Sequence, residues 1–466
     1  MEQERVNPER DHGREAQDLS SLTSSAASKL RDEVLQKHRV AIVGGLRTPF
    51  VKAGGSLGQY GQLELGTHAV AKTLEGLDLK SRDIDEIIYG AVVLNPRVPN
   101  LARQIAIDTD LPKHEAHFVS NNCITSLVAV HQLANDIATG RIRSGIAGGV
   151  ESLSNPTLML TPQAEKFWMK MNAARTLKQR VGLLREFRFG YLIPQGPSPR
   201  EASTGLTMGQ HCELTARELS IPRDAQDELA FRSHQNAARA KEQGYLATEI
   251  APLGDVNEDN IIRASTTLEK LASLSPAFRL PSRLSQQYPG IDFGSEGTLT
   301  AGNSSAMTDG ASAVCLMSES EARRQGREVL GYVSGIEFAA VDPHDGLLQA
   351  PGVALPKLMQ RHGLSVDDID RFEVHEAFAA QVLANQSVWR DGWEKYGVSP
   401  IGEIPGDRMN VNGGSLALGH PFAATGSRIV LSLVNELKRS GLSTGVISVC
   451  AAGGMACAML VKAGKE

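Results

Sequence analysis

The sequence has no excess of basic residues, few cysteines and no long apolar run, and each absence excludes a class of protein. Its 48 lysines and arginines are outnumbered by 53 aspartates and glutamates, so the net charge of −5 gives no reason to expect nucleic acid as a partner. Five cysteines spread over 466 residues are not a disulfide framework and favour free thiols. No apolar run reaches the roughly 18 residues of a membrane span. Nor do cysteines and histidines pair closely, so we expect no metal.

The first 38 residues differ in composition from the rest of the chain. They mix acidic and basic side chains without an apolar stretch, and so match neither a secretory signal nor an acid-poor transit peptide. We interpret residues 1–38 as a mobile N-terminal extension. The segment from Arg5 to Gly13 partly matches a peroxisomal amino-terminal address, but its last position fails. We therefore expect the cytoplasm, with the peroxisome as the alternative.

Strand-like and helix-like segments alternate near both ends of the chain, which predicts an α/β layered fold. The segment after Asp83 resembles the segment after Asp368, and the strand at Ser144 resembles the one at Thr444. These matches fall in the same order, which predicts a duplicated α/β unit. The region between them has little strand character. We expect an N-terminal core at 39–157 and 290–320, an inserted, mostly helical loop domain at 158–289, and a C-terminal core at 321–466.

A basic segment opens the predicted loop domain. Seven lysines and arginines lie between Lys166 and Leu192, interleaved with aromatic and aliphatic side chains. This pattern predicts a basic amphipathic helix, which can lie on an anionic membrane surface or dock a partner protein. An ordinary surface helix with solvated bases fits the pattern equally well.

Cys123 precedes a segment with helical apolar spacing that ends at Gly140. Ser120, Asn121 and Asn122 are residue types that cap helices, so we expect Cys123 at the helix N-terminus. Unpaired backbone N–H groups and the helix dipole there favour a thiolate, which is the nucleophilic form of cysteine. A small buried core cysteine is the alternative.

Three further stretches combine reactive side chains with glycines, which let the backbone approach a ligand. His375 and Cys450 each end a predicted strand, and His420 lies in a Gly-rich loop ahead of a helix. A histidine at that place can take a proton from Cys123, and a second thiol can exchange protons with a carbon acid. Each residue alone could be an ordinary core or turn residue. Together, in corresponding elements of two repeated halves, they predict one shared site.

Over about residues 38–462 the sequence resembles the thiolase family, which transfers acyl groups between carbon and coenzyme A. The matching residues are Asn122-Cys123, Ser126, Met208-Gly209, Ala216-Arg217-Glu218, Ser233-His234, Thr300-Ala301-Gly302-Asn303-Ser304-Ser305, His375-Glu376-Ala377-Phe378, Gly419-His420-Pro421-Phe422 and Cys450-Ala451-Ala452-Gly453-Gly454. The resemblance implies the thiolase-like duplicated α-β-α-β-α layered fold, with a loop domain inserted.

The resemblance also implies roles for the matching residues. Cys123 is the nucleophile, His420 activates it, Cys450 is the acid and base at the substrate α-carbon, and His375 helps to bind the thioester oxygen. The N–H groups of Cys123 and Ala452 form a second oxyanion hole. Substrate and coenzyme A contacts are expected at Met208, Ser304, Ser305 and Phe378. Coenzyme A is a co-substrate, and no tightly bound cofactor is implied.

His375 stands where many thiolases carry asparagine, and the His-Glu-Ala-Phe form is found in β-subunits of fatty-acid oxidation complexes. The resemblance therefore implies a degradative 3-ketoacyl-CoA thiolase, with a short-chain acetyl-CoA C-acetyltransferase as the alternative. It also implies a homodimer or dimer of dimers, and a hydratase/dehydrogenase α-subunit or an anionic membrane as partner of residues 160–195. Ala423 and Ala452 stand where glycine is usual. Each adds a methyl group beside the site, which predicts a narrower acyl pocket or altered coenzyme A packing.

Two rival functions fit the sequence less well. A ketoacyl synthase would use Cys123, His375 and His420, but it leaves Cys450 without a role. A non-catalytic lipid-binding or scaffold subunit would use residues 160–195, but it leaves all the reactive side chains unexplained.

Overall fold

The computed structural model describes residues 39–111, 113–294 and 296–464, so the predicted extension at 1–38 lies outside the described residues. Within these ranges the chain forms ten strands: β1 (Val40–Arg47), β2 (Val51–Lys52), β3 (Glu86–Gly90), β4 (Glu115–Val119), β5 (Ser144–Glu151), β6 (Thr308–Ser318), β7 (Gly331–Ala340), β8 (Arg371–Val374), β9 (Thr444–Ala451) and β10 (Met455–Ala463). The same ranges contain thirteen α-helices: α1 (Gln62–Gly76), α2 (Leu101–Asp108), α3 (Thr125–Ala138), α4 (Pro162–Ala173), α5 (Leu177–Leu183), α6 (Met208–Glu218), α7 (Arg223–Glu242), α8 (Leu268–Ala272), α9 (Glu319–Arg324), α10 (Pro351–His362), α11 (Ala379–Asp391), α12 (Ser415–Leu418) and α13 (Thr425–Ser440).

The strands form one mixed sheet in the order β4-β3-β5-β6-β1-β7-β10-β9-β8, with β2 paired to β6 outside this path. Antiparallel pairing of β1 with β7 joins two halves. In the first half the order outward from β1 is β6, β5 and β3, and in the second half the order outward from β7 is β10, β9 and β8. With β2 left aside, each half thus pairs its first strand with its last. A parallel bridge between Phe372 and Met409 takes the place that β4 has in the first half. The predicted duplication is therefore confirmed.

Alternating side chains of the strands separate the layers. On β10, Cys457, Met459 and Val461 join the cluster that contains α3 and α13, whereas Ala456 and Leu460 join the cluster that contains α10 and α11. Helices α1 and α2 cover the outer face of the first half. Helices α3 and α13 thus lie between the two halves of the sheet, and the predicted α-β-α-β-α layered fold is confirmed.

The two central helices are in close contact where α13 carries a glycine. A Cβ atom on Gly426 of α13 would lie 2.7 Å from Cγ of Leu127 on α3. The backbone N–H of Ser427 donates to Oγ of Ser126 at 2.9 Å. This contact joins the N-terminal ends of both helices, and it brings the loops that precede them together.

The chain between β5 and β6 contains five of the α-helices and none of the ten strands. The boundaries expected for a loop domain, 158–289, stay a prediction. The prediction of one amphipathic helix over Lys166 to Leu192 is wrong, because α4 ends at Ala173 and α5 begins after Thr176. Thr176 and Gln179 form a capping box, which starts a new helix. Beyond α5 two short 3-10 turns follow. Within the described ranges, no helix is long and apolar enough to cross a membrane.

Candidate active site

Cys123 lies two residues ahead of α3, close to the predicted position at the helix N-terminus. Asn122 has a positive φ of 49°, a conformation that asparagine tolerates better than most residues. Its side-chain amide donates to the carbonyl oxygen of Ala452 at 3.0 Å. The turn that carries Cys123 is thereby tied to the turn that follows Cys450.

The thiol of Cys123 contacts the imidazole of His420. Its Sγ lies 3.1 Å from Nε2 of His420, although the two residues are 297 positions apart in the chain. On the other side of the ring, Nδ1 lies 2.7 Å from Oγ1 of Thr425. Because the Thr425 hydroxyl also donates to the carbonyl oxygen of Pro421 at 3.4 Å, it is oriented to accept the proton of Nδ1. This leaves the lone pair of Nε2 facing the thiol, as a proton acceptor requires.

Burial sets the charge of this pair. It raises the pKa of Cys123 to about 12 and lowers the pKa of His420 to about 3. The backbone groups of Ala452 and of Cys123 itself offset part of this effect on the Cys123 pKa, while the carboxyl group of Glu151 adds to it. Burial therefore opposes the thiolate expected at a helix N-terminus, because the loss of solvation outweighs the local dipoles. For the pair at rest, burial favours a neutral thiol beside a neutral imidazole.

His375 follows β8 directly and lies beside His420, with 4.2 Å between the ring centroids. Its Nδ1 lies 2.8 Å from Oγ of Ser415, and its Nε2 is buried without a hydrogen-bond partner among the described residues. The reactive nitrogens of His375 and His420 and the sulfur of Cys123 all lie within 4.8 Å of one another. The structure thus brings these three predicted site residues together.

Cys450, at the end of β9, completes the set of reactive side chains. Burial raises its pKa well above the ordinary value, and the nearby sulfur of Cys123 raises it further. The side chain belongs to an apolar cluster with Cys212, Leu299 and Phe378. Burial therefore favours the protonated form of the Cys450 thiol, which lies in an apolar cluster near the sulfur of Cys123.

The four predicted substrate-contact residues lie around this cluster. Met208, the first residue of α6, packs against the cluster that contains Phe378 and Cys450. Ser304 pairs with Phe378 in a short bridge, and its hydroxyl donates to the carbonyl oxygen of Thr300 at 2.6 Å. The N–H of Ser305 donates to the carbonyl oxygen of Ala377 at 2.9 Å, and the Ser305 side chain is half-buried. An apolar wall and a hydroxyl-bearing segment therefore border the reactive thiols.

Two buried carboxyl groups support the loops of the site, and the sequence singled out neither. Glu151 accepts hydrogen bonds from the backbone N–H groups of Val92, Val93 and Ala423, and burial raises its pKa to about 7. Glu376 accepts from Ser233, from Asn410 and from the backbone of Leu416. Glu376 could have been identified from its place in the His375-Glu376-Ala377-Phe378 motif. Nothing in the sequence distinguishes Ser415 and Thr425 from other polar loop residues.

A metal ion is one further ligand that the side chains of the site could hold. Cys123, His375 and His420 offer one sulfur and two nitrogens, a donor set that suits zinc. A second group, formed by Glu86, Glu115 and His117, has two exposed members. Exposed acidic groups are common without a metal, so this group suggests none. That the protein uses no metal stays a prediction.

Comparison with known proteins gives consistent matches along the chain. The model of the N-terminal domain of thiolase matches residues 40–320, and that of the C-terminal domain matches residues 327–463. A 3-ketoacyl-CoA thiolase of Yersinia enterocolitica is 40% identical over 438 residues, covering 92% of this chain and 97% of the relative. The corresponding enzyme of Shewanella sediminis is 39% identical over 435 residues, covering 91% and 97%. The crystal structure of the acetyl-CoA acetyltransferase of Bacillus anthracis is similar with a TM-score of 0.75 and 29% identity, covering 92% of this chain and 99% of that one.

Proposed function

The chain belongs to the thiolase family of acyltransferases, and on this premise we propose that it is a 3-ketoacyl-CoA thiolase of fatty-acid β-oxidation. In the proposed reaction, an acetyl-CoA C-acyltransfer, coenzyme A cleaves a 3-ketoacyl-CoA into acetyl-CoA and a shortened acyl-CoA. The observation that supports this proposal best is the contact of 3.1 Å between Sγ of Cys123 and Nε2 of His420, with the protonated thiol of Cys450 beside it.

In the first half of the proposed reaction, Nε2 of His420 takes the proton of Cys123 as the sulfur attacks the 3-keto carbonyl carbon. The bond between C2 and C3 then breaks, and its electron pair passes to the acetyl-CoA enolate. Cys450 protonates this enolate at carbon. The products are acetyl-CoA and an acyl group bound to Cys123, with His420 protonated and Cys450 as thiolate.

In the second half, coenzyme A attacks the acyl group. The Cys450 thiolate takes the thiol proton of coenzyme A, whose sulfur adds to the acyl carbon. Cys123 leaves as a thiolate and regains its proton from His420. All charges return to the resting state, which agrees with the neutral Cys123–His420 pair that burial favours.

Developing negative charge on oxygen needs hydrogen-bond donors in fixed positions. We assign the N–H groups of Cys123 and Ala452 to the oxygen of the acylated centre, because the backbone of both residues acts on the Cys123 thiol and lowers its pKa. We assign the Nε2 atoms of His375 and His420 to the thioester oxygen of the acetyl-CoA part. Met208, Ser304, Ser305 and Phe378 are assigned to the acyl chain and the pantetheine arm. Coenzyme A remains a co-substrate, and we propose a homodimer or dimer of dimers acting in the cytoplasm.

The proposal is tested by measuring coenzyme A-dependent cleavage of 3-ketohexadecanoyl-CoA and of acetoacetyl-CoA, with Cys123→Ala as the control. Cleavage of the long substrate that is lost in the variant is the expected result. Activity on acetoacetyl-CoA alone would support the second candidate, a short-chain acetyl-CoA C-acetyltransferase, which the similarity to the acetyl-CoA acetyltransferase structure favours. If neither substrate is turned over, both proposed enzyme activities are contradicted, and the non-catalytic lipid-binding or scaffold function remains.

We also propose that residues 160–195 bind an anionic lipid surface. This segment carries seven bases and two acids in a chain whose net charge is −5, and all seven bases are exposed. Phe167 packs against Phe187 and Tyr191 in a small aromatic core, yet large apolar side chains point into solvent, with Leu177 exposed by 78% and Phe189 by 84%. Bases combined with exposed apolar side chains are typical of proteins that lie on anionic membranes.

Vesicle flotation tests this surface, comparing neutral vesicles with vesicles that contain phosphatidylserine. We expect binding only to the anionic vesicles, and loss of binding when Arg180, Arg185 and Arg188 are changed to glutamine. The matched control replaces Lys80, Arg82 and Arg323, which are exposed bases elsewhere, by glutamine. Equal binding by both triple variants would refute the assignment, and co-purification of a hydratase/dehydrogenase without lipid binding would point to the protein partner instead.

A further inference from the structure

Ser415, at the start of α12, stands between a histidine of the site and a buried arginine. Its side chain is fully buried, and its Oγ lies 2.8 Å from Nδ1 of His375. The same Oγ accepts a hydrogen bond of 2.9 Å from Nη2 of Arg428, which is itself 1% exposed. A chain of three side chains therefore runs from α13 to the back of the His375 ring.

The donor and acceptor inventory of this chain allows two arrangements. A guanidinium group can only donate, so Arg428 occupies one lone pair of the Ser415 hydroxyl. In the first arrangement the Ser415 proton bonds to the lone pair of Nδ1. In the second, Nδ1 carries the proton and donates to Ser415, whose own proton is then left without an acceptor among the described residues. Leaving a buried hydroxyl proton unpaired is costly, so the first arrangement is favoured.

The first arrangement determines what His375 presents to the active site. A neutral imidazole with an unprotonated Nδ1 carries its proton on Nε2. That atom is buried and has no partner among the described residues, and a ring nitrogen of His375 lies within 4.8 Å of the Cys123 sulfur and of a ring nitrogen of His420. His375 would then be a hydrogen-bond donor aimed at the reacting atoms and not a base.

We propose that Arg428 and Ser415 are positioning residues that hold His375 in the Nε2–H tautomer, so that it donates a hydrogen bond to the substrate oxygen. This inference rests on the proposed thiolase function for its substrate, although the tautomer itself does not depend on any substrate. Thr425 has the opposite effect on His420, since it accepts from Nδ1 and leaves Nε2 as an acceptor. Two hydroxyl groups thus give two neighbouring histidines complementary roles.

The positive charge of Arg428 supports the same assignment in a second way. Burial, the neighbouring His420 and the guanidinium of Arg428 all lower the pKa of His375, which keeps the ring neutral at physiological pH. Burial, the largest effect, and the nearby Arg47 lower the pKa of Arg428, whereas the carboxyl groups of Glu373, Glu249 and Glu376 act in the opposite direction. A neutral imidazole carries its single proton on either Nδ1 or Nε2. Ser415 contacts Nδ1 of His375, so its hydroxyl group determines which of the two nitrogens is protonated.

A double-mutant cycle separates this role from simple packing. Ser415→Ala should lower kcat for thiolysis by about tenfold or more, approaching the roughly 10²- to 10³-fold loss of an oxyanion donor, with little change in KM for coenzyme A. The matched background is His375→Asn, because an asparagine has no tautomer and occurs at this place in related thiolases. In that background Ser415→Ala should change kcat less than about twofold. Equal losses in both backgrounds would overturn the proposal, since a packing defect acts in either.

A spectroscopic measurement tests the tautomer without relying on turnover. In protein with 15N-labelled histidine, the shifts of protonated and unprotonated ring nitrogens differ clearly, and His375→Asn identifies the signals of His375. We expect Nε2 to be protonated in the wild type and this preference to disappear in Ser415→Ala. A wild-type proton on Nδ1 would refute the inference even if the enzyme is an active thiolase. If the tautomer is as expected but no acyl-CoA is cleaved, the proposed function fails and the positioning role stands.

Discussion

The imidazole rings of His375 and His420 lie 4.2 Å apart between their centroids, and each bonds through Nδ1 to a different hydroxyl group. Two imidazolium ions at this distance would repel each other strongly in a buried site. Burial already lowers the pKa of both rings, and His420 lowers the pKa of His375 further. In the proposed reaction, the pair therefore acts through tautomers and proton transfer, with at most one ring charged at a time.

Reactivity of Cys123 should depend on His420 more than on the helix N-terminus. Because burial raises the pKa of this thiol, attack requires a base in contact with the sulfur. We expect His420→Ala to lower thiolysis by about 10²- to 10⁴-fold, the range of general base catalysis. Alkylation of Cys123 by iodoacetamide at neutral pH, followed by peptide mass spectrometry, should slow in parallel. Unchanged alkylation would indicate a thiolate that forms without the histidine.

Removing the hydroxyl group behind His420 should impair the base while leaving the fold intact. Thr425→Val keeps the shape of the side chain but leaves Nδ1–H without its acceptor at 2.7 Å. An unpaired buried donor costs about 1–3 kcal/mol, so we expect kcat to fall by about 5- to 150-fold. Thr425→Ser retains the hydroxyl group and serves as the matched control. Equal activity of the two variants would show that Thr425 does not orient the ring.

The stability of the protein should fall on mild acidification because of His420. Its pKa is lowered to about 3 in the folded state, whereas an unfolded histidine titrates near 6.5. Below that pH the unfolded chain binds a proton that the folded chain excludes. Stability from this group is thus fully present above about pH 6.5 and is lost as the pH falls towards 3, by up to about 1.4 kcal/mol per pH unit.

Urea unfolding at pH 7.5, 6.0 and 5.0 measures this effect. Comparison with His420→Asn isolates it from the other titrating groups, since asparagine carries no proton. We expect the free energy of unfolding of the variant to decrease less steeply with acidification. The difference in slope should correspond to about one proton fewer taken up on unfolding. Parallel curves for the two proteins would contradict the lowered pKa of His420.

The close approach of α3 and α13 should be sensitive to a single methyl group. A Cβ on Gly426 would lie 2.7 Å from Cγ of Leu127 and 2.8 Å from Oγ of Ser126, which forces the helices apart. We expect Gly426→Ala to lower the free energy of unfolding by about 1–3 kcal/mol, as overpacking does. Because these helices carry the loops of Cys123 and His420, activity should fall as well. Lys438→Ala, at an exposed position of α13, should change both by little.

Local sequence signals determined the elements of this protein and the places of its reactive residues within them. The apolar spacing after Cys123 predicted α3, and the repeated segments at Asp83 and Asp368 predicted β3 and β8 in a duplicated fold. The strand that His375 was predicted to end is β8, which this residue follows directly. Such features depend on a few neighbouring residues, so a sequence displays them directly. The basic segment after Lys166 was the exception. Its amphipathic pattern predicted one continuous helix, whereas the capping box at Thr176 starts a second helix.

Only the tertiary structure decided how the reactive groups behave. Cys123 and His420 are 297 residues apart, and it is the packing of α3 against α13 that brings their loops into contact. The same packing buries Cys123, and burial raises the pKa of its thiol against the effect expected of a helix N-terminus. Ser415 and Thr425 are unremarkable in the sequence and acquire their importance from the histidine nitrogen that each contacts. Solvation and hydrogen-bond partners are properties of the assembled interior, and no local pattern in the chain encodes them.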